Sequence, residues 1–566
     1  MRKLSYSLVV LVCCLPIAPG LLGVLISSLG YIPPLAMSEV SANGYAQMFA
    51  WHGVQQSLLI TLFSAIVSTV LATLFSFAIV QRLWLSRSWH KVESLLAPLL
   101  ALPHVAFAIG FSFLLAPTGI IARAAFTLFG WQTDPSGQPL LVNDPYGLGL
   151  TLALALKELP FLLLMSIPVL QQLKVEQSNQ VATMLGYTPA QMWLKVIFPQ
   201  WLSKMRFAIF AVIAYGVSVV DVALVIGPSN PPTFAVLVWQ WFNDPDLALL
   251  PRASAGAITL FVLASCLMLL VVGTERLVTR WGNRWQFSGR SGFSLPGLTI
   301  LGSAVSIAVS IVPLLLIWSI AQRWRFPDLV PTQFSLRFWQ FEWQGIVPIV
   351  LNSVLLALVS ASLALLLALI AQEYKHSGKK HLPDYVIALP MLIPQLSMLF
   401  GIQVIALYLS GDRFWFWVIW SHIFFAFPFV YLALDGPWKS YDPNYTKAGL
   451  SLGKSPLHVL LSIKFRMLLP AIFYAWAVGI SVSLAQYLPT LMLGAGRIAT
   501  ITTEAVALSS GFDRRVTAIY ALWQALLPLV FFTMALFFSR LTRRRSKPLI
   551  NQRAIYDSIS KQPHRF

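Results

Sequence analysis

Charge is what this chain has least of. Only 10% of its 566 residues are Asp, Glu, Lys or Arg, against about a quarter in a typical soluble domain. Acid is scarcer than base: 20 Asp and Glu stand against 39 Lys and Arg, a net charge of +19. With 57% hydrophobic residues and a mean hydropathy of +0.74, a soluble globule is excluded. The reading is an all-α, polytopic membrane protein. In a soluble chain +19 would point to nucleic acid; here membrane topology places the charge, and no nucleic-acid partner is expected. Cysteine is nearly absent. Cys13, Cys14 and Cys266 lie in apolar runs, which excludes a disulfide framework and zinc spacing. The eight histidines never stand at i, i+4. Paired carboxylates in one loop and a Gly-x-Ser-x-Gly elbow are missing too, so no catalytic residues, no metal and no enzyme are expected.

What the chain does have is long apolar runs. A span needs about 20 mostly apolar residues. Twelve are predicted, near 6–28, 57–80, 95–115, 147–170, 205–227, 254–274, 297–320, 347–371, 384–409, 414–434, 471–494 and 516–539. The first, behind Arg2-Lys3, is too long for a signal-peptide core and is read as an uncleaved span. Placing the N-terminus inside puts 29 Lys and Arg in cytoplasmic segments and 9 in outer loops, which orients the chain with both termini cytoplasmic. The longest outer loop, about 116–146, is rich in turn residues, including Asp134-Pro135-Ser136-Gly137 and Asp144-Pro145. Trp324, Trp339 and Trp343 read as an interfacial aromatic belt. The basic tail, 541–566, with Arg543-Arg544-Arg545 and Lys547, reads as a headgroup-facing anchor.

A rare polar island runs from Gln180 to Pro199. Gly186 suits the left-handed end of a helix. Thr188 can cap the next helix, with Pro189 at its first position and Gln191 three after the cap, as in a capping box. The same grammar returns 267 residues later: Leu452-Gly453-Lys454-Ser455-Pro456 repeats Leu185-Gly186-Tyr187-Thr188-Pro189. Other pairs follow. Gln56-Ser57-Leu58 resembles Asn352-Ser353-Val354, Ala101-Leu102-Pro103 resembles Ala388-Leu389-Pro390, and Pro160-Phe161 resembles Pro428-Phe429. The chain is read as two parallel six-span halves, 1–280 and 296–540. A cytoplasmic linker, 281–295, joins them, and each half carries its loop between spans four and five, at about 172–204 and 436–470.

Both loops resemble the cytoplasmic Glu-Ala-Ala loop of binding-protein-dependent ABC importer permeases. The first has Gln180, Val181 and Ala182 at the motif positions and keeps Gly186 and Pro199. The second has Lys447, Ala448 and Gly449, keeps Gly453 and Ile463, and puts Arg466 where the family has proline. The resemblance implies the type I importer permease fold and a short coupling helix in each loop, formed around Gly186, Thr188 and Pro189 and around Gly453, Ser455 and Pro456. It also implies an ATPase dimer on the cytoplasmic face, a solute-binding protein outside, and residence in the cytoplasmic membrane. Gln486-Tyr-Leu-Pro-Thr-Leu-Met-Leu-Gly-Ala-Gly496 and Thr502-Thr503-Glu504-Ala505 resemble the ferric iron and thiamine type. The expected function is ATP-driven import of a small solute.

Lys157 and Glu158 in span four are candidates for the pathway, because charge at the bilayer centre faces protein or water. The resemblance implies that spans five and eleven line the pathway, which adds Ser218 and Asp221 in span five and Ser483 and Gln486 in span eleven. They are paired between halves as Ser218 with Ser483 and Asp221 with Gln486. An alternative is a twelve-span carrier driven by an ion gradient, which would use the buried charges but leave the two loops unexplained. Ala448 to Ser455 fits a loose phosphate-loop pattern, yet its lead-in is no buried strand. No cofactor is expected on this chain; ATP belongs to the partner.

Overall fold

The structure is a computed structural model that describes residues 2–131, 141–287, 292–378, 380–408, 413–511 and 513–545. The fold is all-α, with one short pair of strands at Ala321–Arg323 and Gln333–Phe334. The first half holds α1 (Arg2–Cys13), α2 (Ile17–Ser28), α3 (Val54–Leu83), α4 (Trp89–Ala101), α5 (His104–Leu115) and α6 (Leu148–Gln172). Its loop holds α7 (Val175–Met184), α8 (Pro189–Met192), a π-helical turn (Trp193–Ile197) and α9 (Phe198–Lys204). Then come α10 (Arg206–Ser218), α11 (Asp221–Ile226), α12 (Phe234–Phe242) and the long α13 (Leu250–Phe287). The second half runs α14 (Gly297–Ile320), α15 (Arg337–His376), α16 (Gln395–Tyr408) and α17 (Phe414–Ser440). Its loop is α18 (Pro443–Ser451), α19 (Pro456–Val459) and a second π-helical turn (Leu460–Lys464). It closes with α20 (Phe465–Ala485), α21 (Leu488–Gly494), α22 (Ile501–Ser509) and α23 (Arg514–Arg545).

Among the described residues ten helices are long and apolar enough to cross a membrane; the pair Pro189–Lys204 and Arg206–Ser218, bent by 61°, makes an eleventh if counted as one span. The expected ninth span, 384–409, is interrupted, and its apolar part is the 14-residue α16, shorter than a full span. The cause is local. A residue before proline is pushed out of the helical region; Ile393, before Pro394, sits at ψ 131°. The third span breaks in the same way at Leu102, ψ 115°, before Pro103. These breaks correct the pairing expected from sequence. Pro103 matches Pro394, not Pro390, because each opens the helix that follows. Gly110 and Gly401 then fall seven residues after their prolines.

The first span of each half packs on the other half. α2 meets α16 at a glycine seam, where a methyl group on Gly23 would come 2.8 Å from the Gly401 carbonyl oxygen. α14 meets α5, where a methyl on Gly110 would overlap Ile311. Such seams suit membrane helices, whose packing depends on close backbone approach. α1 continues along α15, with Tyr6 stacked on Tyr374 at 4.2 Å between ring centroids. The halves share finer detail. The first amide of α12, Phe234, donates to Thr61 Oγ1 at 2.8 Å, and the first amide of α22, Ile501, donates to Ser353 Oγ at 2.8 Å.

At the loop ends, Asp144 is buried and accepts from the amides of Leu148 and Gly149 at 2.7 and 3.0 Å, capping α6. Asp134 to Gly137, Arg290, and the tail beyond 545 lie outside the described residues. Trp324 packs on Trp318 and under the buried Arg123 guanidinium, 5.1 Å from its ring, and Trp343 stands exposed.

Candidate functional site: two hinged elbows and two broken spans

Each loop folds as an elbow. In the first, α7 ends in the six-residue glycine closure: the Tyr187 amide donates to Ala182 O at 2.9 Å and the Gly186 amide to Thr183 O at 3.0 Å. Gly186 has φ +75°. Thr188 then caps α8. Its Oγ1 accepts from the Gln191 amide at 3.4 Å, and Gln191 Oε1 accepts from the Thr188 amide at 2.8 Å. Pro189 takes the first helical position. The second elbow repeats this. Lys454 donates to Gly449 O at 3.3 Å, Gly453 to Leu450 O at 3.0 Å, and Gly453 has φ +74°. Ser455 Oγ accepts from the His458 amide at 3.3 Å, with Pro456 behind it. The second cap lacks the reciprocal bond, because His458 replaces the glutamine. A helix, α18, precedes Gly453, so the phosphate-loop context is absent there.

The small residue that opens the six-residue closure has a packing reason. A methyl on Gly449 would approach Ile463 Cδ1 and Val459 Cγ2 at 2.9 Å. Ala182 holds the matching place and is half-buried. The tips are open and apolar: Met184 is 86% exposed, Leu185 61%, Leu452 79% and Leu457 64%. Gln180, Val181, Lys447 and Ala448 are exposed as well, while Pro199 is buried at the start of α9.

Ion pairs tie the elbows to the spans. Arg206, at the base of α10, holds Glu275 of α13 in a two-point pair at 2.8 and 2.7 Å. Lys464, in the second π-turn, holds Glu373 of α15 at 2.6 Å. The linker side rests on the first elbow: Gln286 Nε2 donates to Lys195 O in the π-turn at 2.9 Å, and Gln81 brackets the linker through Phe293 O and the Leu295 amide.

Deeper in each half the fifth-type span is broken. Val219 (φ −66°, ψ 124°) and Val220 separate α10 from α11; Gln486 (φ −71°, ψ 115°) and Tyr487 separate α20 from α21. Both breaks, both π-turns and both tip glycines keep one 267-residue offset. The expected pairing of Ser218 with Ser483 and of Asp221 with Gln486 is therefore corrected. Ser218 matches Ala485, and Val219 matches Gln486. The sequence pairing needed a two-residue insertion that the backbone does not contain.

The first break gathers acid. His104, the first residue of α5, meets Glu158 Oε1 at 3.2 Å and lies 4.8 Å from the Tyr215 ring. Asp221 opens α11 within electrostatic reach of His104, Tyr215 and Tyr487. Ser218 bonds back to Ala214 O at 2.8 Å within its own helix. Lys157 lies within electrostatic reach of Glu158, but its hydrogen bond is made elsewhere. Its ammonium donates to Leu99 O at 3.2 Å, a carbonyl whose helical partner would be the missing N–H of Pro103. It faces Leu301 and Ala304 of α14. The second break is neutral: Gln395, first residue of α16, donates to Gln486 Oε1 at 2.8 Å, and Ser483 meets His422.

No family model matches the chain. It is 32% identical over 501 residues to the inner membrane ABC transporter permease protein YnjC of Escherichia coli K12, covering 88% of this chain and 91% of that protein. The chain belongs to the ABC transporter permeases. Shorter matches reach the spermidine/putrescine transport system permease protein PotC of Escherichia coli K12 (29% identity, 24% of this chain, 52% of PotC) and its Mycoplasma genitalium homolog (27%, 29% and 58%). The chain thus spans little more than half of these two shorter relatives. Membership in this family sets aside the reading as an ion-gradient carrier.

For this permease, sequence reasoning singled out the elbows and the acids Glu158 and Asp221 as candidates. It missed His104, Tyr215, His422, Thr490, Gln395 and both π-turns. His104 carried a signal: a histidine directly after a helix-breaking proline in an apolar run. His422 carried none beyond being polar among aromatics.

Proposed function

We propose that this permease is the membrane subunit of an ATP-driven importer of a small organic cation, working by alternating access in the inner membrane. The observation that carries the reading is the pair of glycine-hinged elbows with exposed apolar tips on a chain whose glycine turn follows a helix, not a phosphate-loop strand. Force then comes from a separate ATPase dimer docked on Leu185 and Leu452 and their neighbours. The Lys and Arg distribution supports a cytoplasmic side for these elbows and for both termini. A solute-binding protein delivers cargo to the opposite face. Transport follows if the partners bind inward- and outward-open states with different affinity.

Two features favour a cation. The acids Glu158 and Asp221 gather at the first break, and the PotC relatives are named for spermidine and putrescine. The resemblance to the iron and thiamine type finds no support among the relatives. Proteoliposomes holding the permease with its co-purified ATPase and binding protein provide the test. Uptake of labelled spermidine should need ATP and saturate; uptake that runs on an ion gradient without ATP would end this reading.

A further inference from the structure

The second break is stapled and the first is not. His422, on α17, is 1% exposed; its Nδ1 lies 2.8 Å from Ser483 Oγ, three residues before Gln486, and its Nε2 lies 2.9 Å from Thr490 Oγ1, four residues after. Thr490 also donates to Gln486 O at 3.2 Å. One proton arrangement satisfies all three contacts. Thr490 spends its hydrogen on Gln486 O, so its oxygen must accept from Nε2–H of His422. Nδ1 is then the acceptor, and Ser483 donates to it. The imidazole thus bridges the bend in a single neutral tautomer, from the end of α20 to the start of α21. Gln395 adds a brace from α16 through Gln486.

At the 267-residue offset the first half has Gly216 for Ser483, Val219 for Gln486 and Ala223 for Thr490, and the pairing of Pro160 with Pro428 sets Leu154 against His422. Every member of the staple is replaced by a residue with no side-chain hydrogen bond to give. We propose that His422 is a positioning residue that locks the bend of the eleventh span, so that gating motion takes place at the first bend, around Val219 and Val220. The consequence for transport rests on the pathway reading above; the lock itself does not.

Hydrogen exchange on the intact permease in lipid nanodiscs, with no partner or solute, tests the lock. Amides of Leu488 and of Thr490 to Leu493 should exchange about tenfold or more slowly than those of Val222 to Ile226, as two buried hydrogen bonds of ordinary net strength imply. His422→Ala should remove that difference and leave the first bend and the elbows unchanged. Thr490→Val, close in shape, should do the same if the alanine variant folds poorly. Equal protection of the two bends in the unaltered protein would overturn the proposal. So would a rise in exchange spread evenly along the chain of both variants. Neither result depends on what the permease carries, so failure of the lock and failure of the import reading are separable.

Discussion

The bend of the fifth span and the bend of the eleventh have nearly the same backbone, with ψ of 124° at Val219 and 115° at Gln486. Their surroundings diverge. The first is flanked by His104, Glu158, Tyr215 and Asp221; the second is held by Ser483, His422, Thr490 and Gln395. Duplication preserved the shape of the break, which polar groups in a protein interior can support. It did not preserve the chemistry. Irregular backbone needs only some partner for its free groups, and different side chains meet that need. The elbows show the converse: there the turn leaves little choice, and both copies keep glycine and the hydroxyl cap.

The largest effect expected is a shared one. Gly186→Val and Gly453→Val each place a β-branched residue at φ near +75°, where even an ordinary L residue loses ~1–2 kcal/mol. Both should nearly abolish ATP-driven uptake while the protein still inserts, read by proteoliposome transport beside surface labelling. Normal uptake by either variant would break the equivalence of the elbows.

A second experiment separates the bends. Glu158→Gln should lower spermidine uptake about tenfold, the effect of losing ~1.4 kcal/mol of cation stabilisation, whereas Gln395→Ala should lower it far less. Equal losses would mean that the acid of the first half has no special role with cargo.

Caps give a smaller contrast. Thr188→Ala removes a reciprocal capping box and should cost about 1 kcal/mol of local elbow stability. Ser455→Ala removes a single bond and should cost less. Local hydrogen exchange at the amides of Gln191 and His458 measures both. Smallest is the charge difference of the tips. Lys447 stands exposed where the first elbow has Gln180. Lys447→Gln should weaken ATPase docking about twofold at low salt and not at high salt, as screened surface charge does. Binding that responds equally at both salt concentrations would remove the electrostatic asymmetry.

Much of the elbow was legible because its physics is local. A left-handed turn favours glycine, and a helix start favours Thr or Ser followed by proline; both lie within a few residues of each other. The breaks were half legible. Pro103 and Pro394 each mark one, yet choosing Pro390 as the partner of Pro103 was an error that only the shared helix starts exposed. The fifth-span break at Val219-Val220 has no proline at all. Lys157 shows the limit most plainly. As a charge in an apolar span it reads as pathway, but its contact is the carbonyl that Pro103 leaves free, fifty-eight residues away in sequence.

By itself, then, the sequence determined that the protein crosses the membrane many times, that it is built twice, and where its two hinged turns fall. These follow from hydropathy, repetition and short-range steric rules. Tertiary structure alone decided that each half lends its first span to the other, that Glu158 meets His104 while its neighbour Lys157 bonds to Leu99 O, and that His422 bridges the bend of the eleventh span. Those outcomes depend on which helix faces come together, and one residue's step of about 100° around a helix is enough to change its partner.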